Sequence, residues 1–336
     1  MVTIKDVANL AQVSPTTVSL IINGKSEERR ISPVTRERVL QAMNELGYQP
    51  NLSARRLRSN DVRKPIIAFY WPIDSRTNIL ASFLSSFQEI IHKLNFDCEL
   101  VVQTYKNNEF EKYADPIIKN SYHGVIIGAT STEDIVYLES LTPQMPIVLL
   151  NRSSEKYASV SVDTKEIGLL AARLFRQKGY TEAAVLASKH PYVATGLRTQ
   201  AFLTACSQLG ITVDEACIIR EENTIKGGVL AAEAFCRLGS APKAVFCDSD
   251  SIALGALYTF HQRQIRLPED VELLAIGLLE PEATQYSIPP VSVIAMPNKT
   301  VMENAVELII HYLSTSGYEP IQKLLPPAVT IRSTFC

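Results

Sequence analysis

Short hydroxyl side chains cluster near the start of the chain, in the segment VSPTTVSLIIN at 13–23. Hydroxyl groups bond to phosphate oxygens or base edges, and short side chains let a helix approach a nucleic-acid groove closely. No comparable pattern points to catalysis, because the sequence contains no Walker A loop, no G-x-S-x-G and no H-E-x-x-H. We therefore expect nucleic-acid binding at this segment and a protein that is not an enzyme.

Side chains that could hold a metal are scattered. Asp248, Asp250 and the pair Glu221-Glu222 lack supporting histidines, so we interpret them as surface or cleft carboxylates and predict no metal and no cofactor. The six cysteines show no CxxC spacing, which predicts reduced thiols. Neither a signal peptide nor a membrane span is predicted, and the expected location is the cytoplasm.

The segment at 13–23 has the Val, Ile and Thr content of a strand but the end signals of a helix. Ser14 is a good N-cap. Pro15 suits the first helical position because a backbone N–H there would have no partner within the helix, and proline has none. Apolar residues then recur at helical spacing through Ile22, and Asn23-Gly24 favours a helix end. The outward face of this predicted helix carries Pro15, Thr16, Thr17, Ser19 and Leu20.

Two further helices are predicted around it. Thr3 and Asp6 form a T-x-x-D capping box before an upstream apolar stripe. The gap between the first two helices is about three residues, which outlines a helix-turn-helix, although an ordinary packing hairpin has the same outline. A third helix, capped by Ser32 and running to Leu46, would cover the other two.

The net charge of −2 conceals a basic head on an acidic body. Residues 1–60 carry nine Lys or Arg and five Asp or Glu, whereas the remaining 276 carry 24 and 30. This asymmetry indicates that only the head meets a polyanion. A mildly basic, solvated surface would have the same charge, so composition alone leaves both interpretations open.

The stretches TIKDVANLAQVSPTTVSLIINGK and ISPVTRERVLQAMNELGYQPNLSARRL resemble the headpiece of the lactose-repressor (LacI) family of bacterial transcription regulators. The match runs from Thr3 to about Leu57. Weaker similarity continues to the C-terminus through HGVIIG, VSVD, LPEDVELLAIG and LLPPAVTIRST. The resemblance implies a sequence-specific DNA-binding regulator, a repressor that binds a pseudopalindromic operator as a homodimer. A free-standing two-lobed ligand-binding protein or enzyme of the same fold is the alternative.

The resemblance also implies a hinge at 51–59, NLSARRLRS, which folds on operator DNA and inserts a leucine into the minor groove. Leu57 matches that leucine; an unstructured linker is the alternative. Gln12 stands where the family usually has Gly, and Leu20 stands where it often has a polar base-reading residue, so Leu20 favours a thymine methyl. The implied DNA-binding residues are Thr3, Ser14, Pro15, Thr16, Thr17, Ser19, Leu20, Asn23, Arg29, Arg30, Tyr48, Asn51, Ala54, Arg55 and Leu57.

After Lys64-Pro65, apolar runs alternate with amphipathic helical stretches. The runs are 66–71, 98–102, 124–128, 146–150, 183–187, 244–247 and 271–277. This alternation predicts an α/β fold with two doubly wound parallel sheets. The predicted domains are a headpiece (1–50), a hinge helix and linker (51–63) and an effector-binding, dimerising core (64–336). By resemblance to type I periplasmic sugar-binding proteins, the N-lobe is about 64–159 plus 295–325 and the C-lobe about 160–294 plus 326–336.

The expected cleft departs from sugar-responsive relatives. Arg198 and Asp250 match an arginine and an aspartate that commonly surround the ligand, but Ser249 replaces an Asn and Leu279 replaces a second Asp. A pocket without this amide and this carboxylate gains little from hydrogen bonds to ligand hydroxyl groups. An arginine, by contrast, can pair with a carboxylate or phosphate. We predict a small anionic or less hydroxylated metabolite; a protein co-regulator or no effector is the alternative. The predicted effector-binding residues are Trp71, Asn151, Tyr192, Arg198, Ser249, Asp250 and Leu279.

A dimer rather than a tetramer is expected. Few residues follow the last predicted strand, AVTIRS, which leaves no room for a C-terminal heptad segment.

Overall fold

The structure is a computed structural model, and it describes residues 4–22, 26, 29–46, 64–74, 76–190, 192–278, 281–315 and 318–336. Several residues with predicted roles lie outside these ranges: Thr3, Asn23, Tyr48, Asn51, Ala54, Arg55, Leu57 and Leu279. The predicted hinge and linker at 51–63 therefore lie outside the described residues.

Three short helices form the headpiece: α1 (Ile4–Leu10), α2 (Pro15–Ile22) and α3 (Pro33–Glu45). Helices of this length are marginal in isolation, so they depend on the apolar side chains that they bury against one another. The buried set is Val7, Ala8, Ala11, Val18, Ile21, Val39 and Ala42. The predicted helix-turn-helix with a covering third helix is confirmed.

The helix ends in the headpiece follow from local hydrogen bonding. Ser14 Oγ accepts the backbone N–H of Thr17 at 3.0 Å, and Ser32 Oγ accepts that of Thr35 at 3.2 Å. These are the predicted N-caps of α2 and α3. Gln12, in the turn between α1 and α2, has φ 52°, a left-handed conformation that glycine adopts at less steric cost.

The N-lobe is built on β1 (Ile66–Pro72), β2 (Glu99–Tyr105), β3 (Gly124–Gly128), β4 (Ile147–Leu150), β5 (Ala158–Val162) and β11 (Gln322–Leu325). These strands pair in the order β11-β5-β4-β3-β1-β2, all parallel. Strands β3 and β4 are buried throughout, as expected for a parallel sheet with both faces covered. The lobe's helices are α4 (Thr77–Lys93), α5 (Asp115–Ile118), α6 (Thr132–Ser140) and α12 (Asn298–Ser314), with a 3-10 turn at Phe110–Tyr113.

The C-lobe is built on β6 (Ala183–Ser188), β7 (Ile218–Glu221), β8 (Ala244–Cys247), β9 (Glu272–Gly277), β10 (Ser292–Ala295) and β12 (Ala328–Thr330). They pair in the order β12-β10-β9-β8-β6-β7. The edge strand β12 runs antiparallel to β10, which departs from the predicted all-parallel sheet. The lobe's helices are α7 (Thr164–Gln177), α8 (Val193–Gln208), α9 (Ile225–Phe235), α10 (Asp250–Gln262) and α11 (Pro281–Gln285), with a 3-10 turn at Glu215–Cys217.

The chain passes between the lobes after β5, after β10 and after β11. Strand β5 ends at Val162 and pairs entirely within the N-lobe sheet, so the first lobe boundary lies after Val162 rather than near 159. Asp163 begins the C-lobe portion by capping α7, since its Oδ1 accepts the N–H groups of Lys165 and Glu166 at 3.0 Å each.

Candidate functional site

Helix α2 turns its short polar side chains away from the headpiece core. The exposed positions among those predicted to contact DNA are Ser14, Pro15 and Thr16, and the half-buried ones are Thr17, Ser19 and Leu20. Val18 and Ile21 pack into the headpiece core on the opposite face. The polar face therefore carries no long side chain that would hold the helix backbone away from a groove.

Two exposed arginines, Arg29 and Arg30, lie between α2 and α3. Arg30 has φ 54°, so the backbone turns sharply at this point. Arginines in a loop next to a recognition helix suit phosphate contacts, which position a protein on DNA without reading its sequence.

A cavity of about 100 Å³ lies between the two lobes, where loops after the carboxyl ends of strands in both sheets meet. Ligands of open α/β sheets bind at this edge, and the volume holds several water-sized groups. Six of the seven predicted effector-binding residues line it: Trp71, Asn151, Tyr192, Arg198, Ser249 and Asp250. The seventh, Leu279, lies outside the described residues.

Arg198, on α8, is a buried cation without hydrogen bonds at two of its nitrogens. Its side chain is 5% exposed, and neither Nε nor Nη1 has a hydrogen-bond partner. Burial lowers the pKa of this guanidinium to about 10, and the negative charge of Asp248 opposes that shift. Buried polar groups are normally paired, so these N–H groups indicate a place for an acceptor.

Asp248 lies behind the cavity at the end of β8. It accepts hydrogen bonds from Ser188 N at 2.7 Å and from Ser188 Oγ at 3.1 Å. Burial raises the pKa of this carboxyl to about 6, although these hydrogen bonds and the charge of Arg198 act in the opposite direction. Asp248 is therefore mostly ionised at neutral pH, and its charge acts on Arg198.

Two more arginines reach the cavity from the N-lobe. Arg152 donates from Nε to the carbonyl of Thr130 at 2.6 Å and from Nη1 to that of Asn151 at 2.7 Å. Its pKa is lowered to about 10, first by burial and then by the positive charges of Arg76 and Arg198. Two cations, Arg76 of the N-lobe and Arg198 of the C-lobe, thus act on Arg152 at this cavity.

Asp250 and Ser249 contribute the polar groups at the start of α10. Asp250 Oδ2 accepts the N–H of Leu278 at 2.8 Å, and Ser249 Oγ donates to Oδ1 of Asn223 at 2.5 Å. The same Ser249 oxygen accepts the N–H of Ile252, so it caps the helix. Because this hydroxyl is already engaged, Asn223 is the better placed of the two to bond a ligand.

Aromatic side chains form the apolar part of the lining. The single tryptophan, Trp71, is 3% exposed and packs edge-on to Phe69 and tilted against Phe83. Tyr192 immediately precedes α8. A ligand with an apolar face could therefore pack against aromatic surface from either lobe.

Among the polar lining residues absent from the sequence-based prediction are Arg76, Arg152, Asn223 and Asn298. Each lies within a few residues of a strand's carboxyl end, at β1, β4, β7 and β10 respectively. That position is the signal that would have found them, since ligand sites of open α/β sheets form there.

The described ranges hold no group of three or more His, Cys, Asp or Glu side chains placed to bind a metal ion. Within those ranges, no helix is both long and apolar enough to cross a membrane.

Two parts of the chain, the headpiece and much of the core, match models of known protein families. Residues 3–51 match the model of the bacterial regulatory proteins of the lacI family, and residues 172–335 match a periplasmic binding protein-like domain. The HTH-type transcriptional repressor PurR of Vibrio cholerae serotype O1 is 29% identical over 344 residues, covering 99% of this chain and 98% of the relative.

Solved structures agree. A LacI family transcription regulator from Clostridium acetobutylicum is 36% identical, with a TM-score of 0.77, over 80% of this chain and all of the other. A lac repressor dimer bound to operator and the anti-inducer ONPF shares the fold at 21% identity, with a TM-score of 0.71 over 99% of each chain. The chain belongs to the LacI family, and it is a DNA-binding transcription regulator.

Proposed function

We propose that the protein is a repressor that binds a pseudopalindromic operator as a homodimer, and that a small anionic metabolite in the inter-lobe cleft controls its affinity for DNA. Each headpiece would read one half-site with α2. The observation that carries the effector half of this proposal is the buried guanidinium of Arg198, a residue that lines the cavity between the lobes and whose Nε and Nη1 have no hydrogen-bond partner.

The DNA-binding half rests on the face of α2. The exposed and half-buried positions at 15–20 are hydroxyl, proline or leucine side chains, which suit close approach to base edges. Arg29 and Arg30 supply phosphate contacts nearby in the chain. PurR relatives are named as repressors, and the lac repressor was solved as a dimer on its operator, which supports the same arrangement here.

The anionic character of the effector rests on the charge of the lining. Arg76, Arg152 and Arg198 reach the cavity, and Asp250 is the carboxylate among the described lining residues. The start of α8 also lies at the cavity, and a helix N-terminus favours negative charge. A neutral sugar would leave the unpaired nitrogens of Arg198 without a charged acceptor.

A regulator of this kind acts on operator DNA in the cytoplasm and needs no catalytic step. The competing proposal is a two-lobed core that is regulated by a protein co-regulator or has no effector. The lining of the cavity favours a small molecule, because an unpaired buried arginine is costly unless something occupies the site.

The experiment is a binding titration of the full-length protein on a fluorescent operator found by selection from random DNA and on an unrelated duplex. We expect tight operator binding with a steep salt dependence, because each phosphate contact releases counterions. Thr16→Glu should lose operator binding, because the new carboxylate would repel the phosphates of DNA. Arg173→Gln, at an exposed position on α7, should leave operator binding unchanged. Equal, shallow salt dependence on both duplexes would contradict the proposal.

A further inference from the structure

We propose that the cleft takes a small dianion that links the two lobes, with one acidic group at Arg198 and the second at Arg152 and Arg76. This inference rests on the proposed effector function and adds the class of ligand and the N-lobe residues that hold it. It concerns a dicarboxylate, whose two acidic groups lie apart.

The two lobes contribute cations separately. Arg198 belongs to α8 of the C-lobe, whereas Arg76 precedes α4 and Arg152 follows β4 in the N-lobe. All three line the same cavity, and the charges of Arg76 and Arg198 both act on Arg152. A single acidic group on Arg198 would offset its repulsion of Arg152 but leave the repulsion between Arg76 and Arg152 in the N-lobe. A second acidic group on the N-lobe side would offset that as well.

The counter-ions in the protein are insufficient for this cluster. Arg76 has its own partner, since its Nε lies 2.9 Å from Asp74 Oδ1. Among the residues that the structure describes, neither Arg152 nor Arg198 forms an ion pair with a carboxylate. Arg152 is held by the carbonyls of Thr130 and Asn151, which orient its guanidinium but carry no full charge. The charge of Asp248 offsets part of that of Arg198, whereas no carboxylate is among the groups that shift the pKa of Arg152, so an anion in the cavity would supply the missing counter-charge.

Asp250 restricts where the ligand can carry negative charge. It is 1% exposed and lines the cavity, and its Oδ2 already accepts the N–H of Leu278. A bare anion next to this carboxylate would be repelled, so the part of the ligand that faces Asp250 must be a donor or apolar. A dianion whose acidic groups lie apart, with a hydroxyl or methylene body between them, satisfies both constraints.

The test uses the full-length protein and the fluorescence of Trp71, which is the chain's single tryptophan and lines the cavity. Succinate is compared with butyrate, which has the same number of carbons and one carboxylate, and with neutral ribose. Glycerol phosphate, which carries both charges on one phosphate group, tests whether the double charge alone is sufficient. At pH 8, where both carboxylates of succinate are ionised, we expect succinate to bind at least about tenfold more tightly than butyrate or ribose, and more tightly than glycerol phosphate.

Variants then separate a bridging role from a structural one. Arg198→Gln and Arg152→Gln should each lower dianion affinity about 10- to 100-fold and bring the dianion-to-butyrate ratio close to one. Arg152→Lys retains the charge without the planar fork, so it should lose less. Arg173→Gln, on the C-lobe surface, should leave the ratio unchanged. Circular dichroism and operator binding of each variant report whether it still folds and still binds DNA.

The outcomes are distinct. Tighter binding of ribose or butyrate than of succinate overturns the dianion proposal and leaves a small-molecule effector standing, and tighter binding of glycerol phosphate than of succinate overturns the separation of the two acidic groups. No fluorescence response to any of the four compounds also overturns the dianion proposal. An unchanged ratio in a folded Arg152→Gln protein overturns the bridge between the lobes. Failure to bind operator in the unsubstituted protein would instead contradict the proposed function, independently of these titrations.

Discussion

The guanidinium carbon of Arg76 lies 3.7 Å from the centre of the Tyr192 ring, and this contact joins the two lobes at the cleft. Arg76 precedes α4 of the N-lobe, and Tyr192 precedes α8 of the C-lobe. Asp74 holds the guanidinium by a bond of 2.9 Å to Nε, which fixes its plane over the ring. Both residues line the cavity, so the same pair that links the lobes is in position to respond to a ligand.

Disrupting this pair should loosen the core by a measurable amount. Arg76→Gln and Tyr192→Leu should each lower the free energy of unfolding by about 1 kcal/mol, as expected for a partly buried cation–π contact. The double variant should lose less than the sum, because the contact is already absent. Urea unfolding measures all four proteins, and Tyr192→Phe is the control because it retains the ring. Strict additivity would show that the two side chains do not interact.

Replacing Leu20 should change which half-site the protein prefers. Leucine cannot donate to guanine, so its contact with DNA is apolar and depends on the base that it meets. Leu20→Ala should alter the sequences recovered in a selection from random DNA, whereas Arg29→Gln should weaken all sequences alike and reduce the salt slope by about one. Identical preferences before and after Leu20→Ala would remove this residue from the recognition face.

Leu57, which lies outside the described residues, carries a prediction made from the sequence. If it enters the minor groove as the resemblance implies, Leu57→Ala should remove most operator affinity and leave non-specific binding close to normal. Fluorescence anisotropy on operator and unrelated duplexes measures both, and Trp71 fluorescence checks that the cleft is intact. Normal operator affinity in this variant would refute the wedge.

Gly128 makes room for Trp71. A Cβ at this position would lie 2.5 Å from Cζ3 and 2.8 Å from Cε3 of the indole, so Gly128→Ala must displace the ring. We expect a loss of about 1–3 kcal/mol of stability from overpacking, together with a shift of the Trp71 emission. Gly239→Ala is the matched control, because a Cβ there meets no atom within 4 Å. An unshifted emission in Gly128→Ala would contradict this account.

Asp248 should make stability depend on pH. Its folded pKa of about 6 lies above the ordinary value of 3.8, so the folded protein holds this proton more tightly than the unfolded chain does. The stability contributed by Asp248 is therefore complete below about pH 4 and is lost as the pH rises through 6. The loss is about 3 kcal/mol.

Asp248→Asn removes this titration. The free energy of unfolding of the native protein minus that of the variant should fall between about pH 4 and pH 6 and then level off. Urea unfolding at a series of pH values gives this difference. A difference that stays constant over the interval would show that Asp248 does not titrate there.

Some elements could be predicted from neighbouring residues alone. The N-caps at Ser14 and Ser32 depend on a side chain bonding an amide three residues away. The buried strands β3 and β4 are continuous apolar runs because parallel strands are covered on both faces. Strands β7, β11 and β12 lie at sheet edges, half-buried or exposed, and lack such a run. The strands predicted from the sequence do not include β7 or β11, nor β5 and β10, which are largely buried but carry serines.

The charge balance of the cleft was decided by the tertiary structure. Arg198 and Asp250 were predicted from the resemblance, whereas Arg76 and Arg152 were not, because their importance depends on which strand ends the fold brings together. The contact of Arg76 with Tyr192 spans more than a hundred residues of chain, and no local pattern encodes it. The sequence by itself determined the family, the headpiece helices and the repeated strand–helix alternation, since these depend on short-range periodicity and capping. Only the packing of two lobes decided which polar groups meet, because electrostatic interactions depend on separation in space.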